Sequence, residues 1–195
     1  MKKYFTLVLV FVVFFATSTL FAAEPQTKAG SKSLYFGLNG LSNLGVDNSV
    51  LGGQYLFQDD MGIWLELGFN SSNYKPDEKA TEQKSSSFGL DVGFIYYAFQ
   101  KGPVAMYFSP QLGFSSGTNE NGANNKVTTS SFTGGVSLGA EWWAFENVSL
   151  SASVLIGYSN STVKTEISSG STEETTNNFG ILGSSNSRFL LSFYF

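Results

Sequence analysis

The last eight residues of the chain, RFLLSFYF, alternate in polarity up to the terminus, with Phe189, Leu191, Phe193 and Phe195 on one parity. Successive side chains of a β-strand point to opposite faces, so this period of two predicts a strand with one fully apolar face. A soluble domain would expose that face to water. A strand in a bilayer places it against lipid, with its last ring at the interface. The chain end therefore favours a membrane-spanning β-structure.

The start of the chain is typical of a secretory signal peptide. Lys2 and Lys3 precede a long apolar run that ends in the small residues Ala22-Ala23. We therefore predict that residues 1–23 are removed and that one domain spans 24–195. A retained membrane anchor is the alternative, because the apolar run approaches the length that crosses a bilayer.

Composition limits the chemistry that the chain can perform. The sequence has neither cysteine nor histidine, but it has 19 Phe, 9 Tyr and 21 Gly. Thiolate chemistry, cysteine-bound metals and disulfides are excluded, and we expect no metal, no cofactor and no enzymatic activity. The formal net charge is −4 and basic residues are not clustered, so we expect no nucleic-acid partner.

Period-two apolarity divides the mature chain into eight segments, which run over 33–44, 49–58, 62–74, 85–99, 104–116, 127–145, 148–165 and 178–195. Short turns at 58–61, 100–103 and 146–147 alternate with longer polar links at 42–48, 72–85, 117–126 and 167–177. A tilted strand of this length can cross a bilayer. The pattern predicts an all-β fold, an eight-stranded antiparallel up-and-down transmembrane β-barrel with short periplasmic turns and longer extracellular loops.

The two faces of the predicted strands differ in chemistry. One parity is continuously apolar, from Leu34 and Phe36 in the first segment to Trp142 in the sixth, and we assign it to lipid. The other parity is mostly Gly, Ser and aromatic residues. A soluble, lipocalin-like barrel is the alternative, but its water-facing wall would carry many Lys and Glu side chains. The low charge of the second parity favours the membrane barrel.

Four charged residues share the inward parity: Glu66, Asp91, Glu141 and Arg188. A guanidinium can bind carboxylates bidentately, and an unpaired charge in so narrow a space would be costly. We therefore predict a luminal charge network in which Arg188 pairs with at least one of the three carboxylates. Such a network is expected to fill and rigidify the barrel rather than to catalyse a reaction.

Four aromatic residues of the inward parity are expected to plug the lumen: Trp64, Tyr97, Tyr107 and Trp143. An eight-stranded barrel is barely wide enough for its own side chains, so this filling argues against an open channel. Phe99 and Tyr194 fit either the interior or an interfacial aromatic girdle, since strand ends and bulges disturb parity.

These features together resemble the small eight-stranded outer-membrane barrels, the OmpA-like and OmpX-like superfamily that also includes opacity-type surface adhesins. The resemblance rests on the signal peptide, the eight segments, the alternation of turns and loops, and the terminal RFLLSFYF. It implies a porin-like monomer in the outer membrane of a Gram-negative cell envelope, surrounded by outer-membrane lipids. It also implies that Phe189, Leu191, Phe193 and Phe195 form the signal read by the barrel-assembly machinery. Enzymes of this superfamily use a histidine, which this chain lacks.

Two functional hypotheses follow. The first is a structural or surface-interaction barrel with a plugged lumen, which contacts its surroundings through the extracellular loops; those loops carry no motif that identifies a partner. The alternative is a narrow pore or a transporter of small hydrophobic molecules. Pro110 favours the alternative, because proline removes a ladder hydrogen bond where a wall could part, although it also fits a simple bulge.

Overall fold

The computed structural model describes residues 23–39, 49–75, 83–121, 125–182 and 187–195. In these residues the chain forms nine β-strands: β1 (Lys32–Asn39), β2 (Ser49–Gln58), β3 (Met61–Tyr74), β4 (Gln83–Lys101), β5 (Val104–Asn121), β6 (Lys126–Phe145), β7 (Val148–Ile167), β8 (Gly170–Ile181) and β9 (Arg188–Tyr194). Among the described residues, no helix is long and apolar enough to span a membrane.

The strands close into a ring of eight wall positions. Strands β1 to β7 pair antiparallel in chain order, and β9 pairs with both β1 and β7. Strand β8 pairs with the far half of β7, so β8 and β9 share the eighth position. The predicted eight-stranded antiparallel up-and-down barrel is confirmed. The chain crosses tight turns at one end of the ring, called here the short-turn end, which also holds the C-terminus.

Several strand boundaries differ from the prediction. The eighth segment was expected at 178–195, but its strand begins at Gly170 and is interrupted between Ile181 and Arg188. The expected loops at 117–126 and 167–177 are largely strand. Cross-strand pairs of polar side chains explain the extension, as in the 2.7 Å hydrogen bond that Asn160 donates to Asn177. Residues 40–48, which hold the whole first expected loop and the end of the first segment, lie outside the described residues.

Side chains alternate between the two faces of the wall as the parity requires. In β3, Ile63 and Leu65 are 52% and 48% exposed, whereas Trp64 and Glu66 are 6% and 1% exposed. The outer surface is therefore a belt of apolar side chains, and the interior holds aromatic, hydroxyl and charged groups. This arrangement is the reverse of a soluble domain, in which the apolar side chains are inside.

Three β-bulges lie at the short-turn end, one each on β2, β4 and β6. The register shifts between Leu56 and Gln58, between Tyr97 and Phe99, and between Trp143 and Phe145. A bulge adds one residue to a strand and so changes which face the next side chain occupies. Phe99 thus pairs with outward Met106 and is 56% exposed.

Tyr194, the other aromatic residue for which two positions were open, is buried in the interior, with 5% of its surface exposed. Trp142 also differs from the prediction. It pairs with outward-facing Leu150, yet it is only 9% exposed. Strict alternation of burial ends here, one residue before the bulge that follows Trp143, so parity alone does not give the exposure of Trp142.

Candidate functional site

A cavity of about 550 Å³ occupies the half of the barrel away from the short-turn end, and we call it the vestibule. Hydroxyl side chains dominate its walls, among them Ser87, Ser115, Thr129 and Thr133. They come from β4, β5 and β6, whose inward positions carry Ser, Thr and Gly in place of large rings. The vestibule is therefore a polar space.

Arg188, Glu66 and Asp91 form an ion cluster at the base of the vestibule. The Arg188 Nη2 atom lies 3.1 Å from Glu66 Oε1 and 3.5 Å from Asp91 Oδ1. The Glu66 side chain is fully buried, whereas 24% of the Asp91 side chain is exposed. Glu66 and Asp91 pair directly across β3 and β4, which places both carboxylates beside one guanidinium. The pairing partly neutralises charges that the interior could not otherwise hold.

The Arg188 side chain is also held from the sides. Its guanidinium carbon lies 4.6 Å from the centre of the Trp64 ring, which is within cation–π distance. It donates a 3.4 Å hydrogen bond to Gln111, which accepts another of 2.8 Å from Ser137. Arg188 thus contacts groups from β3, β4 and β5 and crosses the interior from its own strand.

Glu141 lies apart from the ion cluster, in a second polar group that the prediction did not separate from it. Its carboxylate accepts hydrogen bonds from Tyr97 at 2.6 Å, from Tyr194 at 2.7 Å and from the Ser149 hydroxyl. A small cavity of about 30 Å³, lined by both Arg188 and Glu141, lies between the two groups. The four charges expected in one network therefore form two groups, because three hydroxyl donors solvate Glu141 without a cation.

Aromatic rings fill the interior around Glu141. The Trp143 ring is 5.9 Å from that of Tyr97 and 5.8 Å from that of Tyr194, and Tyr97 lies 5.8 Å from Tyr107. Trp64 lies farther from the short-turn end than these rings, beside the ion cluster. Tyr35, which the sequence analysis did not single out, completes the buried cluster. The inward parity of Tyr35 in the first predicted strand is the sequence feature that could have identified it.

The wall at Pro110 stays closed. Register is the same on either side of it, with Gly93 opposite Gln111 and Tyr96 opposite Phe108, so the bulge considered for this position is absent. Proline cannot donate to the Phe94 carbonyl, and the Ser109 hydroxyl donates to that carbonyl instead, at 2.6 Å. Ser109 in turn accepts a 2.8 Å hydrogen bond from Trp64. The missing ladder bond is thus replaced by a side chain.

The four terminal residues expected to form an assembly signal lie on the outer face of β9 and just beyond it. Phe189 and Leu191 are each 37% exposed, Phe193 is 43% exposed and Phe195 is 72% exposed. The Phe193 ring makes an edge contact with Phe36 of β1 at 6.4 Å. The last strand therefore presents its apolar row outwards at the seam where the barrel closes.

Solved structures share this architecture. The outer membrane protein OprG from Pseudomonas aeruginosa matches with a TM-score of 0.52 and 12% identity, over 86% of this chain and 97% of that chain. The chain has the fold of a small outer-membrane β-barrel. A major outer membrane protein from Thermus thermophilus (18% identity, TM-score 0.45) and Ail of Yersinia pestis (12%, 0.42) match over 85% of this chain and 98% of theirs. No family model and no curated protein matches the sequence.

Proposed function

We propose that this barrel is an integral outer-membrane protein whose interior is closed by its own side chains and whose role lies in surface interaction at its extracellular end. The observation that carries the proposal is the inversion of polarity across the wall. Apolar side chains on all the wall strands face outwards, while charged and hydroxyl groups are buried. Such an outer surface is stable only against lipid, and only a closed ring satisfies every backbone group there.

The closed interior argues for function at the surface rather than through the lumen. The Arg188 cluster and the aromatic rings around Glu141 form two successive layers along the barrel axis. The cavity between them, at about 30 Å³, has room for only a few water molecules. A solute that entered the vestibule would meet both layers before it reached the periplasm.

The extracellular end, by contrast, is extended and polar. Strands β7 and β8 continue as a hairpin well past the apolar belt, which on β7 ends near Tyr158. Thr162 and Thr175 face each other there at 3.2 Å, and Lys164 pairs with Glu166. This hairpin extends the wall beside β6, which pairs with β7 as far as Glu166. Its hydroxyl and charged groups form a surface that other molecules can reach.

Single-channel recording tests this proposal. The refolded protein should show heat-modifiable gel mobility, which marks a folded barrel, and it should be silent in a planar bilayer. Discrete conductance steps would contradict the closed interior.

A narrow pore is the second candidate, and the vestibule is the observation that favours it. The cavity reaches from the long-loop side down to Asp91 and Arg188, so the two interior layers below it would have to move. Its hydroxyl lining fits a polar solute better than a hydrophobic one. Replacing Asp91 with Asn would then change the ion selectivity of any conductance, whereas a silent protein has no selectivity to change.

A further inference from the structure

Residues 24–31, which lie between the predicted cleavage site and the first strand, cross the short-turn mouth of the barrel. At one end the segment begins beside β6, where the amide of Ala23, the residue just before it, lies 3.4 Å from the Trp143 carbonyl. At the other, the Gly30 amide donates to the Leu56 carbonyl of β2 at 2.7 Å. In a ring of eight wall positions, β2 and β6 lie on opposite sides. The segment therefore spans the opening, and we call it the strap.

The middle of the strap is also held. Its Thr27 carbonyl accepts a 2.7 Å hydrogen bond from the Asp60 amide in the turn between β2 and β3. The Thr27 hydroxyl accepts another, of 2.9 Å, from Gln100 at the end of β4. Thr27 is only 2% exposed. The strap thus lies against the interior rather than hanging below it.

One exposed carboxylate joins the strap to the wall. Asp59 accepts a 2.9 Å hydrogen bond from the Ala29 amide and lies 3.3 Å from the Lys28 ammonium. Because Asp59 lies in the turn between β2 and β3 and its side chain is exposed, replacing that side chain leaves the strand ladders intact. It is therefore the position at which the strap can be loosened alone.

We propose that residues 24–31 form a backbone strap that seals the short-turn mouth beneath the aromatic layer and that Asp59 latches in place. The seal is separate from the closure by Arg188 and the aromatic side chains. The strap closes the short-turn end of the interior even when the aromatic side chains next to it move. Displacing the strap would open the lowest layer, around Glu141 and Ser149, without breaking the wall.

A cysteine reporter tests the strap, since the chain has no other cysteine. Ser149→Cys places a thiol at a fully buried position just above the strap, on the residue that pairs with Trp143. The full chain is produced in membranes, and the rate of reaction with a charged methanethiosulfonate is measured. Deleting residues 25–29 should raise that rate at least about tenfold, because local opening governs the access of solvent to buried groups. Heat-modifiable mobility confirms that each variant folds.

Two further variants separate the latch from a general loosening of the turns. Asp59→Ala should raise the reaction rate of the reporter thiol, by less than the deletion does. Glu146→Ala removes a carboxylate from another short turn and should leave the rate unchanged. Equal rates with and without residues 25–29 would overturn the seal. A rate in Asp59→Ala no higher than in Glu146→Ala would overturn the latch.

Discussion

At the scale of single residues, the interior rings fit because glycines on neighbouring strands leave space for them. A Cβ atom at Gly93 would lie 2.5 Å from the Trp64 ring, whereas at Gly89, on the same face of β4, the nearest atom would be 3.8 Å away. Gly93→Ala should therefore lower the free energy of unfolding by about 1–3 kcal/mol through overpacking. Gly89→Ala is the matched control and should be nearly neutral. Urea titration in lipid vesicles measures both, and equal losses would contradict the fit between ring and glycine.

Charge burial supplies a second prediction at this scale. Arg188→Gln leaves the fully buried Glu66 carboxylate without its cation, which typically costs about 3–5 kcal/mol. Adding Glu66→Gln should recover part of that loss in urea titrations, because the second substitution removes the buried charge. Lys28→Gln, in an exposed ion pair, is the control and should change little. A loss in Arg188→Gln no larger than in this control would contradict the role of the ion cluster.

The sequence predicted which residues face inwards better than it predicted their partners. Parity alone placed Glu66, Asp91 and Arg188 on the inner face, and the register of β3 and β4 then brought the two carboxylates together. The separate position of Glu141 could not be predicted. The position of Glu141 depends on how far each residue lies along the barrel axis. That distance is fixed by the stagger between strands, and a sequence period of two carries no information about stagger.

At the scale of elements, the contact between β4 and β5 at Pro110 predicts an energetic coupling. Ser109→Ala leaves the Phe94 carbonyl without a donor, which should cost about 1–3 kcal/mol. In a Pro110→Val background the new backbone amide can donate to that carbonyl, so the same substitution should cost less. A double-mutant cycle of unfolding free energies measures the difference. Strictly additive effects would show that Ser109 does not replace the missing ladder bond.

The turn between β2 and β3 predicts a pH dependence. The Ala29 amide, and then the Lys28 ammonium, lower the pKa of Asp59 below its usual 3.8. A lowered pKa means that the ionised form stabilises the folded strap. This contribution is present above the unfolded pKa and is lost as pH falls through the folded pKa. Hydrogen exchange of the Ala29 amide should therefore be slower than in Asp59→Asn at neutral pH, and equal to it at low pH.

An internal control distinguishes this effect from global unfolding. The neighbouring Gly30 amide donates to a backbone carbonyl that does not titrate, so its protection should persist at low pH. Loss of both protections together would show that the whole strap, rather than the Asp59 contact, responds to pH.

The number of wall positions could be predicted, but the strand ends could not. Alternating turns and loops gave eight wall positions. The polar stretch at 167–177 suggested a loop, because Ser, Thr and Asn favour turns locally. Here the same residues pair across β7 and β8, so contact between neighbouring strands determines their conformation. The positions of the bulges could not be predicted for a related reason: one inserted residue leaves almost no trace in a periodic pattern.

At the scale of the whole molecule, the outer wall should meet lipid, and the interior between the vestibule and the short-turn end should exclude water. One spin-label scan tests both claims. Residues 62–69 of β3 are replaced singly by cysteine, labelled with a nitroxide in lipid vesicles, and tested for collisions with oxygen and with a water-soluble nickel complex. Outward positions such as Ile63, Leu65 and Leu67 should collide mainly with oxygen. Of the inward positions, Gly62 and Trp64 should be protected from both, whereas Gly68 lines the vestibule and should be reached by nickel. Nickel access at Gly62 and Trp64 would mean an open channel, and nickel access at the outward positions would mean that the barrel does not span a membrane.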